Sequence, residues 1–368
     1  MQSPLTLNRN CRGRAGQLLC RLVLVSFCLT TSAWAQTSPN VTPFAGGLKY
    51  PRGLTFGPDG NLYVAEAGAG GPLSTAGICD QVQFVPGPYR GGFTARISKI
   101  SPDGTTVTTV ADHLPSAVEA LGDVIGIADV AFIDNTLYAL SSGGGCSHGL
   151  VGTSAEVLRV NADGTTTPIA NLSHFQQTHP TVSPHEGPGY EPDGSWYSMI
   201  AVRGALYAVE PNHDELDRIT PDGQIHRVAD ISATQGHIIS TASVYDGNFY
   251  VGNLGDFPIV EGSSKVLKIT PSGQVKTVAT GFTTILGLAI DHKHRLYVLE
   301  NTTGPNLFPT PGTGKITRID HSGRLEPIAW GLSLPTGMTF GPDGNLYVSN
   351  WGFGPPGLGQ IVRVTVPD

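Results

Sequence analysis

Apolar and polar residues alternate along this chain in runs of four to eight, and Gly, Pro or Asp interrupts the pattern at short intervals. That is the signature of half-buried strands joined by turns, and no amphipathic stretch persists to convincing helical length. The clearest unit is Thr55-Phe56-Gly57-Pro58-Asp59-Gly60-Asn61-Leu62-Tyr63-Val64. Its Pro-Asp-Gly turn between two alternating segments predicts a β-hairpin. The same ten residues return as Thr339 to Val348.

Weaker copies fill the interval. A Leu/Phe-Tyr pair recurs six times, at Leu62-Tyr63, Leu137-Tyr138, Leu206-Tyr207, Phe249-Tyr250, Leu296-Tyr297 and Leu346-Tyr347. After each pair comes a basic residue before a β-branched one: Lys99, Arg159, Arg218, Lys268, Arg318 and Arg363. A Gly-containing turn and a short apolar strand follow the first five copies. Four antiparallel strands repeated six times predict an all-β, six-bladed β-propeller with four-stranded blades. The sixth unit stops at Asp368 without a fourth strand, and Phe44 to Leu48 matches the missing piece. The amino-terminal strand is therefore expected to complete the last blade and remove the open edge.

Residues 1–35 stand outside this pattern. Arg9, Arg12, Arg14 and Arg21 precede an apolar run, Leu22 to Leu29, and Ala33-Trp34-Ala35 offers a cleavage site. This reads as a signal peptide, too short to span a bilayer. The expected organisation is a signal peptide over 1–35, a short linker over 36–41 and the propeller over 42–368, exported to the periplasm or the exterior. Cys11, Cys20 and Cys28 leave with the leader, so Cys79 and Cys146 remain. Both fall in loops after second strands of adjacent blades, and in an oxidising compartment a disulfide is expected.

Charge narrows the partners. The full chain carries −7; without the leader, Lys+Arg falls from 22 to 18 against 29 Asp+Glu, or −11. An acidic protein lacking a basic stripe argues against nucleic acid. No other segment could span a membrane, and a monomer is expected.

Long loops after the second strands place binding on one face of the disc, opposite the tight turns. Three residues beyond each recurrent Tyr stand Glu66, Ser141, Glu210, Asn253, Glu300 and Asn350. Such oxygen-bearing side chains near the channel mouth could hold Ca²⁺, with Glu66, Glu210, Asn253, Glu300 and Asn350 as ligands. They could equally be polar strand ends bonded to neighbouring backbone. The six recurrent Lys/Arg are expected to pair with acids within or between blades. Arg52, Asp129, Tyr197 and Ser141 are the ligand-binding candidates on the loop face, and His148, His213 and His237 the catalytic ones.

The segment from His174 to Trp196 concentrates His185, Glu186, Tyr190 and Glu191, but its prolines break any aligning helix; a solvated lid is expected. Gly145-Cys146-Ser147-His148-Gly149 and Gly352-Phe353-Gly354-Pro355-Pro356-Gly357 match familiar patterns by spacing alone, without the strand–turn–helix or following helix those chemistries need. Asn40, Asn171 and Asn301 open sequons that matter only in a glycosylating host.

The opening Pro51-Arg52-Gly53-Leu54-Thr55 through Glu66-Ala67-Gly68 resembles that of the ScyD/ScyE family. Cys79 in a Gly-rich insertion, Arg96 to Ile100 and Val110 to Ser116 extend the likeness. The resemblance implies an exported, NHL-like six-bladed propeller, some of whose relatives serve a sunscreen-pigment pathway. It carries over no catalytic residue, and His185 to Gly194 departs from the family's approach to blade three.

Two functional classes stay open. One is a binding or scaffold module that presents its loop face to a small molecule, glycan or protein, and that could be accessory to a secondary-metabolite or envelope pathway. The other is a Ca²⁺-dependent lactonase or lyase with its site at the channel mouth.

Overall fold

The computed structural model describes residues 36–83, 88–119, 121–184, 187, 189–320 and 322–367. The signal-peptide assignment, and His185 and Glu186, lie outside the described residues. Six antiparallel sheets follow one another around a ring, as the repeats predict. Blade two shows the basic pattern: Ile127–Ile133, Thr136–Ser141, Glu156–Val160 and Thr166–Asn171 pair in sequence order. Blade one adds a fifth, two-residue strand, Val124–Ile125, beyond Val107–Val118.

Blade six draws on both ends of the chain. Gly337–Phe340, Leu346–Asn350 and Gly359–Val364 are completed by Val41–Leu48, with Val41 opposite Val364 and Leu48 opposite Gly359. In the expected linker, Ser38 is buried and its N–H donates to Trp330 O, and Asn40 reaches Ile328 O and Thr365 O.

The repeated decapeptide has a local explanation. Asp59 accepts from the backbone of Asn61 (3.2 Å), the Asn61 amide (2.8 Å) and the Tyr63 hydroxyl (3.0 Å). Gly60 meanwhile takes φ 76°, a value that suits glycine. Asp343 repeats these bonds with Asn345 and Tyr347.

The core is divided among the blade junctions. Leu54, Leu62 and Ile100 of blade one meet Tyr347 and Ile361 of blade six. Val209 and Leu216 of blade three meet Phe249, Val251 and Leu267 of blade four, and Leu299 and Ile316 of blade five meet Leu346 and Val362 of blade six. Each Leu or Ile so buried is worth about 1.5–3 kcal/mol. Propeller stability is thus a sum over junctions, and closing the ring adds the last one.

Between blades the chain makes a sharp turn with a non-glycine residue in the left-handed region: Tyr50 (φ 54°), Ile239 (58°), Thr284 (50°) and Leu334 (48°). Such conformations cost about 1–2 kcal/mol each, so the surroundings must hold them.

Candidate functional site

What holds those turns is the set of polar residues ending the second strands. Glu66 accepts from Lys49 N (2.5 Å), Arg96 Nε (2.7 Å) and Ser98 Oγ (2.5 Å). Glu300 accepts from Thr283 N (2.9 Å) and Lys315 Nζ (3.0 Å), and Asn350 from Ser333 N (2.8 Å). Asn253 bridges Ile238 O (3.0 Å) and Lys265 N (2.8 Å). Glu210 takes Ser195 N (3.2 Å) and His213 N (2.5 Å). Each residue fastens the local backbone of its own blade. Among the described residues no three His, Cys, Asp or Glu stand where they could hold a metal ion. Glu66, Glu210, Asn253, Glu300 and Asn350 each spend side-chain oxygens on these local bonds. Ser141, the matching residue of blade two, is buried, and its Oγ has no hydrogen-bond partner among the described residues.

First strands line the central channel, a cavity of about 430 Å³. Asp129 faces it, accepting from Val130 N and Met199 N, both at 2.8 Å. Burial pushes its carboxyl up to about 7. A Cβ on Gly53 would run into that carboxylate, so glycine is required there. Tyr197 closes the channel toward the loop face, donating across the ring to Thr336 O at 2.9 Å. Burial also raises its phenol.

Beyond Tyr197 lies a second cavity of about 270 Å³. Trp196, Ile239, Leu254, Leu286, Phe308 and Phe353 form its apolar walls. Arg52, Glu119, Asp123 and Glu191 supply charge. Arg52 donates to Val124 O and stands 3.5 Å from Asp123 Oδ1. Glu119 accepts from Leu121 N (2.8 Å) and Asp123 N (2.9 Å).

Glu191 is backed by His148. The buried imidazole directs Nδ1 at Gly144 O (2.7 Å), which can only accept, so Nδ1 carries hydrogen. Nε2 faces Glu191 Oε2 at 3.1 Å. Burial presses the imidazolium down, yet the Glu191 hydrogen bond and charge outweigh it, and the net shift of His148 is upward. Burial raises Glu191 as well.

The disulfide forms as expected, Cys79 to Cys146 with Cα atoms 6.3 Å apart. It anchors the 3-10 turn Cys146–His148, and Thr75 Oγ1 donates to Cys146 O. Ser147 of that turn is no nucleophile elbow; its hydroxyl donates to Asp193 Oδ2 at 2.6 Å.

Of the ligand candidates, Arg52 and Tyr197 meet at the loop-face cavity, while Asp129 lies in the channel and Ser141 lines neither. Of the histidines, only His148 reaches the cavity, through Glu191. His213 is buried 3.9 Å from Glu215, and burial lowers its imidazole to about 4. His237 pairs with Asp214 at 2.9 Å.

The expected solvated lid is instead partly interior. Leu172–Thr178 forms a seven-residue helix before the prolines, capped by Asn171, and Trp196 and Gln176 are buried. Apolar Leu172 and Trp196 join the core between blades two and three, which outweighs the segment's polar look. Glu119, Asp123 and Phe308 went unmarked in the sequence. The extra length between Leu114 and Ile127, compared with Leu332 to Gly337, is the signal that could have found the first two.

The recurrent basic residues divide. Lys99, Arg318 and Arg363 pair with Asp59 (3.9 Å), Glu326 (2.8 Å) and Asp343 (2.7 Å). No such pair is seen for Arg159, Arg218 or Lys268 among the described residues.

Fold and cavity together define a six-bladed β-propeller with a walled pocket at one channel mouth. Solved structures share that fold. A gluconolactonase from Xanthomonas campestris is 13% identical, with 89% of each chain covered and a TM-score of 0.54. A protein of unknown function from Bacteroides thetaiotaomicron VPI-5482 is 14% identical, covering 90% of this chain and 77% of the other, with a TM-score of 0.56. A candidate oxidoreductase (glucose dehydrogenase) from Thermus thermophilus is 17% identical over 90% of this chain and all of the other, with a TM-score of 0.54. At such identities the likeness is one of fold, which hosts different chemistries. No family model and no curated protein matches the chain. Among the described residues no helix is long and apolar enough to cross a membrane.

Proposed function

We propose that this protein is an exported propeller-type binding module whose loop-face cavity takes a compact, largely apolar molecule with a hydrogen-bond donor or one positive charge. The carrying observation is the composition of the cavity wall. Phe257, Phe308 and Phe353 offer aromatic surface over the buried Trp196, and Glu119, Asp123 and Glu191 outnumber Arg52. Aromatic faces beside carboxylates favour cations, and an enclosed apolar pocket with few polar groups is the usual form of a small-molecule site. The leader-like start and the disulfide support export, and the resemblance to the ScyD/ScyE family supports a role beside a secondary-metabolite pathway.

Phenethylamine and 3-phenylpropionate, alike in body and opposite in charge, test the reading. Binding is followed by Trp196 emission with Trp330 and Trp351 replaced by Phe. The amine is expected to bind at least tenfold tighter, and Phe308→Ala to weaken it. Equal binding of the two, or none, rejects the proposal.

A second reading rests on one pair. His148 and Glu191 together hold a proton at the cavity wall, an arrangement suited to general acid–base catalysis on a bound molecule. Turnover of a bound compound that Glu191→Gln abolishes without loss of binding would favour it.

A further inference from the structure

On the face opposite the long loops, three blades end in one arrangement. In blade one, Asp59 accepts the Tyr63 hydroxyl (3.0 Å) and faces Lys99 (3.9 Å). In blade six, Asp343 accepts the Tyr347 hydroxyl (3.1 Å) and pairs with Arg363 (2.7 Å). In blade five, Asp291 accepts the Tyr297 hydroxyl (3.1 Å), which Arg318 also contacts (3.3 Å). In each, an acid of the first turn accepts from the recurrent Tyr, and the recurrent basic residue has an acidic partner: Asp59 for Lys99, Asp343 for Arg363 and, from another strand, Glu326 for Arg318.

Arg159 of blade two and Lys268 of blade four have no such pair among the described residues, and blade three departs furthest from the rule. Its first turn has only two central residues, Arg203 and Gly204, at φ 49° and 75°, the pattern of a type I′ hairpin. The turn brings a second cation where the other blades bring an acid. Arg203 lies over the Tyr245 ring at 5.9 Å. Among the described residues, neither Arg203, Arg218 nor His226 has an acidic partner, and the Tyr207 hydroxyl has no acceptor. His226 is the cross-strand neighbour of Arg218. These groups, with Tyr245 and Ser272, line a cavity of about 260 Å³. Phe249 closes its base, 4.6 Å from the Tyr207 ring and 4.9 Å from Tyr245. Tyr207 and Arg218 are half-buried, so the pocket is walled, not a flat patch. It is basic on a chain whose net charge is −7.

We propose that this pocket between blades three and four binds a small oxyanion, the carboxylate or phosphate of a free metabolite. Its oxygens would stand in for the carboxylate of Asp59 or Asp343, joining Arg203 to Arg218 and accepting the Tyr207 hydroxyl. Guanidinium groups suit such anions because their donors form a rigid planar fork. The neighbouring aromatic rings give room for a flat organic body. This site is separate from the loop-face cavity and does not depend on its function.

Inorganic phosphate and acetate, titrated at constant ionic strength against chloride, test the proposal by NMR of the full chain. Saturable shifts are expected at residues 203–207, 218, 226 and 245, with the preferred probe identifying the acid. Arg203→Asp builds into blade three the acid that blades one and six carry; it should abolish the shifts while the protein stays folded. Arg218→Gln should weaken binding at least fivefold. Shifts that never saturate, or that survive unchanged in Arg203→Asp, overturn the site.

Discussion

Blades one and three end their second strands with the same residue and stabilise it in different ways. In blade one, Glu66 meets Arg96, Ser98 and a backbone N–H within hydrogen-bonding distance. In blade three, Glu210 is met by backbone N–H groups and the Asn212 amide but by no cation. Two further acids, Glu215 and Asp217, lie on the adjoining strand at alternate positions, fully buried, with one guanidinium, Arg227, beside Glu215. Burial pushes Glu210 up to about 7 and Glu215 up to about 8. Asp217 is raised as well, by burial and then the Glu215 charge, and a proton on it would supply the hydrogen bond that the two bare carboxylates lack. One scaffold therefore solvates buried acids by ion pairing at one site and by protonation at another.

The largest effect should come from breaking the ion-paired side. Glu66→Ala strands Arg96 and the Lys49 N–H and should cost about 3–5 kcal/mol in urea unfolding. A loss below about 1 kcal/mol would mean that Arg96, 24% exposed, finds water instead.

Removing the covalent tie between blades one and two comes next. Cys79→Ser with Cys146→Ser should cost about 2–4 kcal/mol. It should also loosen His148 behind Glu191, seen as faster exchange of the His148 ring proton.

The protonated side predicts a pH response. A carboxyl with a raised folded-state pKa stabilises the fold most fully below its unfolded value near 4, and that contribution is lost as pH rises through 7 to 8. Thermal stability should therefore fall between pH 5 and pH 8, by on the order of 2–3 kcal/mol per group. Glu210→Gln should flatten the decline; an undiminished slope would place its origin elsewhere.

The smallest effect should be Asp217→Asn. Its amide can donate to Glu215 at every pH, so the change should be within about 1 kcal/mol at pH 6 and stabilising at pH 8. Destabilisation at pH 8 would show that the shared proton is not what holds this pair.

Much of this frame is legible in the chain because its physics is local. A Pro-Asp-Gly turn and an alternating strand declare themselves within ten residues, and six tandem copies leave one architecture. Leu48 could be assigned to the last blade because it matched Leu332, a fourth-strand residue. The positions of Glu66, Glu300 and Asn350 were also readable, three residues past each Tyr. Their partners were not, because Lys49 N, Thr283 N and Ser333 N are backbone groups, and one backbone N–H looks like another in a sequence. Arg52 and Tyr197 stood out at the starts of first strands. Asp123 did not, because the connection carrying it has no counterpart in the repeat. Glu191 was masked by prolines and by a polar setting that suggested solvent, while its partner His148 lies 43 residues earlier.

The pairing of Val41–Leu48 with Gly359–Val364 also sets an order of events. During synthesis the first of these strands emerges with its mate still some three hundred residues away, and five blades can form before it is used. Contacts so distant along the chain are slow to make, and the waiting edge is open to the wrong neighbour. Refolding should therefore show a late phase in which the junction around Tyr347 and Leu54 becomes protected last, with the speed of that step set by the search of one end for the other.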